Sequence, residues 1–378
     1  MSESDVFIIS AVRTAIGKGN PNGALFDFQP VELAALVMQE AVRRGGIEAS
    51  RLDDCIWGVA TPVGDQGGNL ARLAVLKSGF PTHVPGVSIN RMCGSSQQAI
   101  HFAAQAILAG DADLVLAGGT EMMSHQPLGA DYPVEWPDVG YKLIHQGMSA
   151  ERMAKKWKLA REQLDEYAFQ SHIKAGAAID SGFLDDEILP VSRPGKGTFV
   201  VDEGVRRPPS REKMGVLPPV FKKSGVITAG NSSQVSDGAA ALLLASPDAV
   251  GRYNLNPIAR IDTRVVIGSD PILMLSGPIP ATQRALKRAG LKLPDIDLVE
   301  INEAFAPVVL AWQIELDADM SRVNPNGGAI AHGHPLGATG AILMTKLIYE
   351  LIRRGAKYGL QTMCIGHGMA TATIIERV

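Results

Sequence analysis

The chain has 378 residues, enough for two or three compact units rather than one small domain. Hydrophobic residues make up 46% and charged residues 20%, so a sizeable core can be buried, while a formal net charge of −3 argues against nucleic acid or an anionic membrane as a partner. Three cysteines, Cys55, Cys93 and Cys364, are too sparse for a disulfide framework and fit a reducing compartment.

An apolar strand is predicted almost at once, over Val6–Val12, with no signal-type or Arg-rich segment ahead of it. No apolar stretch reaches membrane-spanning length, so the cytoplasm is the expected location. An amphipathic helix follows over Val31–Arg44, then strands at Cys55–Ala60 and Gly86–Asn90, an Ala-rich helix at Ser95–Ala109, and a strand from Asp113 that is expected to end at Gly118-Gly119. Short apolar strands alternating with helices indicate an α/β unit with a largely buried sheet.

The pattern then recurs. Ala41-Val-Arg-Arg-Gly-Gly-Ile-Glu-Ala-Ser-Arg-Leu-Asp53 aligns without gaps on Ala285-Leu-Lys-Arg-Ala-Gly-Leu-Lys-Leu-Pro-Asp-Ile-Asp297, and helix–Gly110–strand–Gly118-Gly119 is echoed by helix–Gly355–strand–Gly366-His-Gly368. Duplicated halves are the reading, with residues 1–120 plus 237–255 forming one, 256–378 the other, and 121–236 inserted between them. The insertion holds a Pro/Gly/aromatic loop over 126–140, a helix expected to be N-capped by Ser149, a helix over Glu162–Ala178, and a basic run from Arg206 to Lys213. Such an insertion is expected to act as a lid or binding element.

Four places could carry chemistry. Cys93, in Asn90-Arg-Met-Cys-Gly-Ser-Ser96, lies between a strand and a helix start, where the helix dipole and free N–H groups are expected to lower a thiol pKa. The plainer reading is a buried small hydrophobe. A glycine-rich run from Asn326 to Gly340 carries His332 and His334, which a tight solvated loop would also explain. Cys364-Ile-Gly-His-Gly368 puts a thiol before backbone N–H groups suited to an oxyanion, or is simply a packed strand end. Asn302-Glu-Ala-Phe305 marks another strand-to-helix junction.

Together and in order, these segments resemble the motifs of the thiolase family, as do Arg13-Thr-Ala-Ile-Gly17, Thr228-Ala-Gly-Asn-Ser-Ser233 and Gly277-Pro-Ile-Pro280, so the resemblance spans the chain. It implies an α/β fold of duplicated βαβαβ halves with mixed five-stranded sheets and an inserted loop domain. It implies Cys93 as the nucleophile that takes the acyl group, His334 (not His332) as its activator, and Cys364 as the acid/base at the acetyl α-carbon. Asn302 would hold a water that forms one oxyanion site with His334, and the N–H groups of Cys93 and Gly366 would form the other. His145, Ser233 and Met274 would flank coenzyme A, which is a substrate; no permanently bound cofactor or metal is implied. Relatives are homodimers or homotetramers. The implied reaction is thiolytic cleavage of 3-ketoacyl-CoA, or the reverse Claisen condensation, through an acyl-cysteine.

Four positions depart from the family pattern. His367 stands where Gly is common, Ala370 follows where another Gly is usual, Pro218 replaces a basic residue, and Gln146 follows His145 where Met is common. The Arg206–Lys213 run is a candidate for the CoA phosphates or a solvated loop. A ketosynthase would show two catalytic histidines and lack the Cys364 motif. A hydrolase with His332 and His334 on a metal would want carboxylates nearby, and none follows in the run. A non-catalytic CoA-binding scaffold would leave some of the four chemical positions unfilled. The compact segment between Met123 and His145 favours a broad 3-ketoacyl-CoA thiolase over an acetoacetyl-CoA thiolase.

Overall fold

The computed structural model describes residues 5–378. The first half is built from β1 (Phe7–Thr14), α1 (Pro30–Gly45), β2 (Asp54–Gly58), α2 (Leu70–Lys77), β3 (Val87–Ile89), α3 (Ser95–Ala109) and β4 (Leu114–Met122). A long excursion with α4 (Gln146–Lys156) and α5 (Arg161–Asp180) precedes β5 (Ser236–Ala245). The second half follows with β6 (Ala259–Gly268), α6 (Pro278–Ala289), β7 (Leu298–Ile301), α7 (Ala306–Leu316), α8 (Thr339–Arg354), β8 (Tyr358–Ile365) and β9 (Met369–Arg377).

The two halves repeat each other in strand order and sense. In the first, β1-β5-β4 run antiparallel and β4-β2-β3 parallel; in the second, β6-β9-β8 run antiparallel and β8-β7 parallel. The counterpart of β3 is a single parallel bridge, Val299 to Val323. Antiparallel pairing of Phe7 with Arg260 and Ile8 with Ala259 joins both halves into one sheet. The sequence repeat has a matching structural role. Gly46 and Gly290 both end their helices in the left-handed conformation. Asp53 accepts from the N–H groups of Asp113 and Leu114, and Asp297 accepts from those of Lys357 and Tyr358.

Helices α3 and α8 form the layer shared by both halves. They pack on each other and α8 touches strands of both, which is why almost every residue from Thr339 to Leu351 is buried. Their N-terminal turns meet, and a Cβ at Gly340 would run into the Gln97 backbone nitrogen, so only glycine permits the approach. No helix among the described residues is long and apolar enough to cross a membrane.

Two local expectations are corrected. The strand expected to stop at Gly118-Gly119 runs on to Met122, with Gly118 and Gly119 paired to Ala241 and Ala240. These glycines serve close packing rather than a turn: a Cβ on Gly118 would strike the Ala240 carbonyl, and one on Gly119 the Gly337 carbonyl. The helix assigned to a Ser149 cap begins at Gln146, capped by His145, whose ring accepts from the Gly147 N–H. Ser149 lies inside the helix and donates instead to the Leu273 carbonyl at 2.7 Å.

Candidate active site

The ends of β3, β7 and β8 and the first turns of α3 and α8 converge where the halves meet. Cys93 sits just before α3, after Met92 at φ 48°, and is 8% exposed. Burial pushes its thiol up to about 11, against the pull of the Gly366 and Cys93 N–H groups, and the Glu121 carboxylate adds to the rise. The expected depression by the helix start is therefore not found, because removing a thiolate from water outweighs two N–H donors. Cys93 is still the most acidic of the three thiols, since burial holds Cys55 and Cys364 higher.

His334 enters through Gly333, at φ 117°, where a Cβ would strike the Ser236 hydroxyl. Its Nδ1 lies 2.6 Å from Thr339 Oγ1, and that hydroxyl gives its only hydrogen to the Pro335 carbonyl at 2.8 Å. Thr339 can therefore only accept from the ring, which places the hydrogen on Nδ1 and leaves Nε2 a lone pair. Burial lowers the ring pKa to about 4, so His334 is a neutral base at pH 7. Nε2 faces Asn302 Nδ2 at 3.3 Å. Asn302 is fully buried and also hydrogen-bonds the Cys364 thiol, so one amide group bridges the histidine and the second cysteine. Burial raises Cys364, and neighbouring Cys93 raises it further.

Three buried carboxylates hold these segments in register; the sequence singled out neither Glu121 nor Asp202, and gave Glu303 no role within its motif. Glu121 accepts from Ala60 N–H (2.8 Å), Gln66 Nε2 (2.7 Å) and Gly337 N–H (2.7 Å). Glu303 accepts from Tyr167 (2.7 Å), Ser171 (2.7 Å), Asn324 (2.9 Å) and the Ile330 N–H (3.1 Å). Asp202 binds Arg13 (2.8 Å), the Ile16 N–H (2.8 Å) and His332 Nδ1 (2.6 Å). A lone acid inside an apolar run, as Glu121 is in Leu114–Met123, was the available signal. His332 Nε2 lies 2.7 Å from the Asn326 carbonyl, so His332 and His334 face different partners. Among the described residues no three His, Cys, Asp or Glu side chains gather as a metal site.

Cys93 and Gly366 open onto a cavity of about 570 Å³, which His145 and Met274 also line. Its outer wall is the loop before α4, with Tyr132, Trp136 and Tyr141. His145 stacks on Phe221 with centroids 5.1 Å apart, and Met274 takes φ 39°. Ser233 is not among the cavity's lining residues; its N–H donates to the Ala304 carbonyl. Of the basic run, Arg207 pairs with Asp180 (2.6 Å) and Arg211 with Glu166 (2.7 Å), while Arg206 and Lys213 line a separate cavity of about 510 Å³.

A thiol held neutral by burial makes a kinetic prediction. Alkylation of Cys93 in the resting protein should accelerate steadily from pH 7 to 10, because the thiolate fraction keeps growing toward a pKa of about 11. The rate of iodoacetamide labelling against pH checks this, and a plateau near pH 7 would indicate a preformed ion pair.

The chain resembles proteins of one family over nearly its whole length. The family model described as thiolase, N-terminal domain, matches residues 6–248, and that described as thiolase, C-terminal domain, matches residues 255–377. The steroid 3-ketoacyl-CoA thiolase FadA6 of Mycobacterium tuberculosis is 48% identical, over 99% of this chain and 95% of that protein. An acetyl-CoA acetyltransferase of Cupriavidus necator is 42% identical, over 99% and 100%. The crystal structure of human mitochondrial 3-ketoacyl-CoA thiolase in complex with CoA superposes with a TM-score of 0.91 at 42% identity, covering 99% of this chain and 98% of that one. With both domain models matched over nearly its whole length, the chain belongs to the thiolase family.

Proposed function

We propose that the protein is an acyltransferase that cleaves 3-ketoacyl-CoA with CoA into acetyl-CoA and a shortened acyl-CoA, and also runs the reverse condensation, with the acyl group carried on Cys93. The observation that carries this reading is the buried link His334–Asn302–Cys364 behind a cavity floored by Cys93 and the Gly366 N–H. The names of the relatives, 3-ketoacyl-CoA thiolase and acetyl-CoA acetyltransferase, support it.

In cleavage, Cys93 Sγ attacks the 3-keto carbon and gives its proton to His334 Nε2. The bond between C2 and C3 breaks, and C2 takes a proton from Cys364 to release acetyl-CoA. The Cys364 thiolate then accepts the proton of the incoming CoA thiol, whose sulfur attacks the acyl carbon. Cys93 leaves and recovers its proton from His334. The Gly366 and Cys93 N–H groups, aimed at Sγ in the resting site, stabilise the oxyanion of acyl transfer. Asn302 and His334 serve the enolate oxygen of acetyl-CoA.

The aromatic cavity supports 3-ketoacyl groups longer than acetoacetyl as substrates. Thiolysis across a series of straight-chain 3-ketoacyl-CoAs tests this: kcat/KM should rise beyond acetoacetyl-CoA. A maximum at acetoacetyl-CoA would favour the short-chain alternative that the Cupriavidus necator relative represents.

A further inference from the structure

His125 stands between β4 and the aromatic loop that walls the catalytic cavity, and both nitrogens of its ring are engaged. Nδ1 lies 2.6 Å from Asp65 Oδ2, and Nε2 lies 2.8 Å from the Phe26 carbonyl oxygen. A carboxylate and a carbonyl can only accept, so each ring nitrogen must carry a hydrogen, and a ring with two N–H groups is an imidazolium. A neutral ring could serve one of these partners and would turn a lone pair toward the other.

The surroundings hold that charge. Asp65 faces the ring from the turn 64–66, Asp237 acts on it from the start of β5, and the Phe26 ring packs edge-on with centroids 5.2 Å apart. Asp27, next to Phe26, is exposed and pairs with Lys196 instead. Burial lowers the ring's pKa, but the bonds to Asp65 and Phe26 and the charges of Asp65 and Asp237 more than reverse it, and the net direction is upward. A proton held more tightly with the bonds made than without them stabilises the contact fully below the ordinary imidazole pKa of about 6.5. That stabilisation is lost as pH rises through the raised value.

What the charge holds is the loop. Gln126, the next residue, donates to Asp65 Oδ1 at 2.9 Å, and Gly64 leaves room for that amide, which a Cβ would strike. Asp65 is fixed in turn, because neighbouring Gln66 is buried, donates to Glu121 at 2.7 Å and accepts from the Met122 N–H at 2.6 Å. Beyond Gln126 the support thins: among the described residues, every hydrogen bond made by residues 127–144 stays within that segment. Yet this segment supplies Leu128, Tyr132, Trp136 and Tyr141 to the cavity onto which Cys93 opens. At its N-terminal end, the wall is thus tied down through two side chains that share one carboxylate.

We propose that His125 is a positioning residue: as an imidazolium bridging Asp65 and the Phe26 carbonyl, it latches the loop 126–145 over the acyl-CoA cavity, and loss of its proton loosens that wall. The inference rests on the thiolase reading of the cavity. His125 itself does not line the cavity, so it acts on substrate only through the loop.

Trypsin gives a direct reading on the full chain, because Lys142 is the only Lys or Arg between residues 126 and 145, and cleavage tracks the open population when opening is fast. The rate of the first cut there is normalised to an unstructured Lys-Leu peptide in the same solution. In wild type it should rise by about 2- to 10-fold from pH 6 to pH 10, the worth of one net hydrogen bond. H125Q, which keeps an N–H donor but no charge, should already show the raised rate at pH 6 and change little with pH. D65N should stay slow throughout, because the amide it introduces can donate to Nδ1 of a neutral ring while Nε2 still donates to Phe26. With 3-ketooctanoyl-CoA at pH 7, KM should rise in H125Q and stay near wild type in D65N, with kcat little changed. Cleavage that is flat with pH in wild type, a D65N that follows the wild-type rise, or a KM equal in all three proteins would overturn the proposal. Absence of thiolysis with the cleavage pattern intact would instead overturn the functional reading, and with it the latch's role in holding substrate.

Discussion

His334→Ala should slow acylation of Cys93 by about 10²–10⁴-fold, the usual worth of a positioned general base, whereas His332→Ala should chiefly lower thermal stability. The two rings are two residues apart yet have different jobs. His334 is oriented by Thr339, holds its Nε2 lone pair toward Asn302, and is neutral at pH 7 through burial. His332 is locked between Asp202 and the Asn326 carbonyl. Removing it strips a partner from a buried carboxylate that also anchors Arg13 and the Ile16 N–H, at a cost of about 1–3 kcal/mol. The Asp202 carboxyl is held far below its usual range: burial alone would raise it, but Arg13 and His332 more than reverse that. Single-turnover acetylation and thermal melts of both variants separate the effects. Equal losses of acylation would mean the two rings act as a unit.

The sequence made the duplication legible because repeated turn chemistry leaves repeated residues. The run from Ala41 to Asp53 and its copy from Ala285 to Asp297 each hold a left-handed helix stop and an aspartate that braces the neighbouring strand. Glycine was the ambiguous signal. Gly118-Gly119 reads as a stop, yet it lies mid-strand, where Trp57 and the Ala240 carbonyl crowd Gly118 and the Gly337 carbonyl crowds Gly119. The thiol of Cys93 shows a second limit: a helix start is visible in sequence, but the burial that overrides it depends on Leu336, Leu343 and Met363 of the far half. Glu121 escaped notice for the same reason, since one of its partners, the Gly337 N–H, lies 216 residues away. The basic run was visible as charge, but Asp180 and Glu166 on α5, which engage two of its arginines, were not.

Cys364→Ala should leave acyl transfer running while carbon–carbon bond breaking and making fall by about 10²–10⁴-fold or more. Transfer from acetyl-CoA onto Cys93 needs the nucleophile, the His334 base and the Gly366 and Cys93 N–H donors, and a CoA thiolate is stable enough to leave without a proton. Cleavage and condensation also need a proton moved at C2. The Cys364 thiol, buried beside Cys93 and bonded to the Asn302 amide, is the group proposed to move it. If Cys364 were only packed strand-end volume, alanine would cost stability and little turnover.

The deciding measurement is single-turnover acetylation of Cys364→Ala by acetyl-CoA, with the modified peptide mapped by mass spectrometry, beside steady-state thiolysis by the same preparation. The account predicts one acetyl group on Cys93, formed at close to the wild-type rate, and thiolysis reduced by orders of magnitude. Acetyl found on another residue, or thiolysis near the wild-type rate, would contradict it.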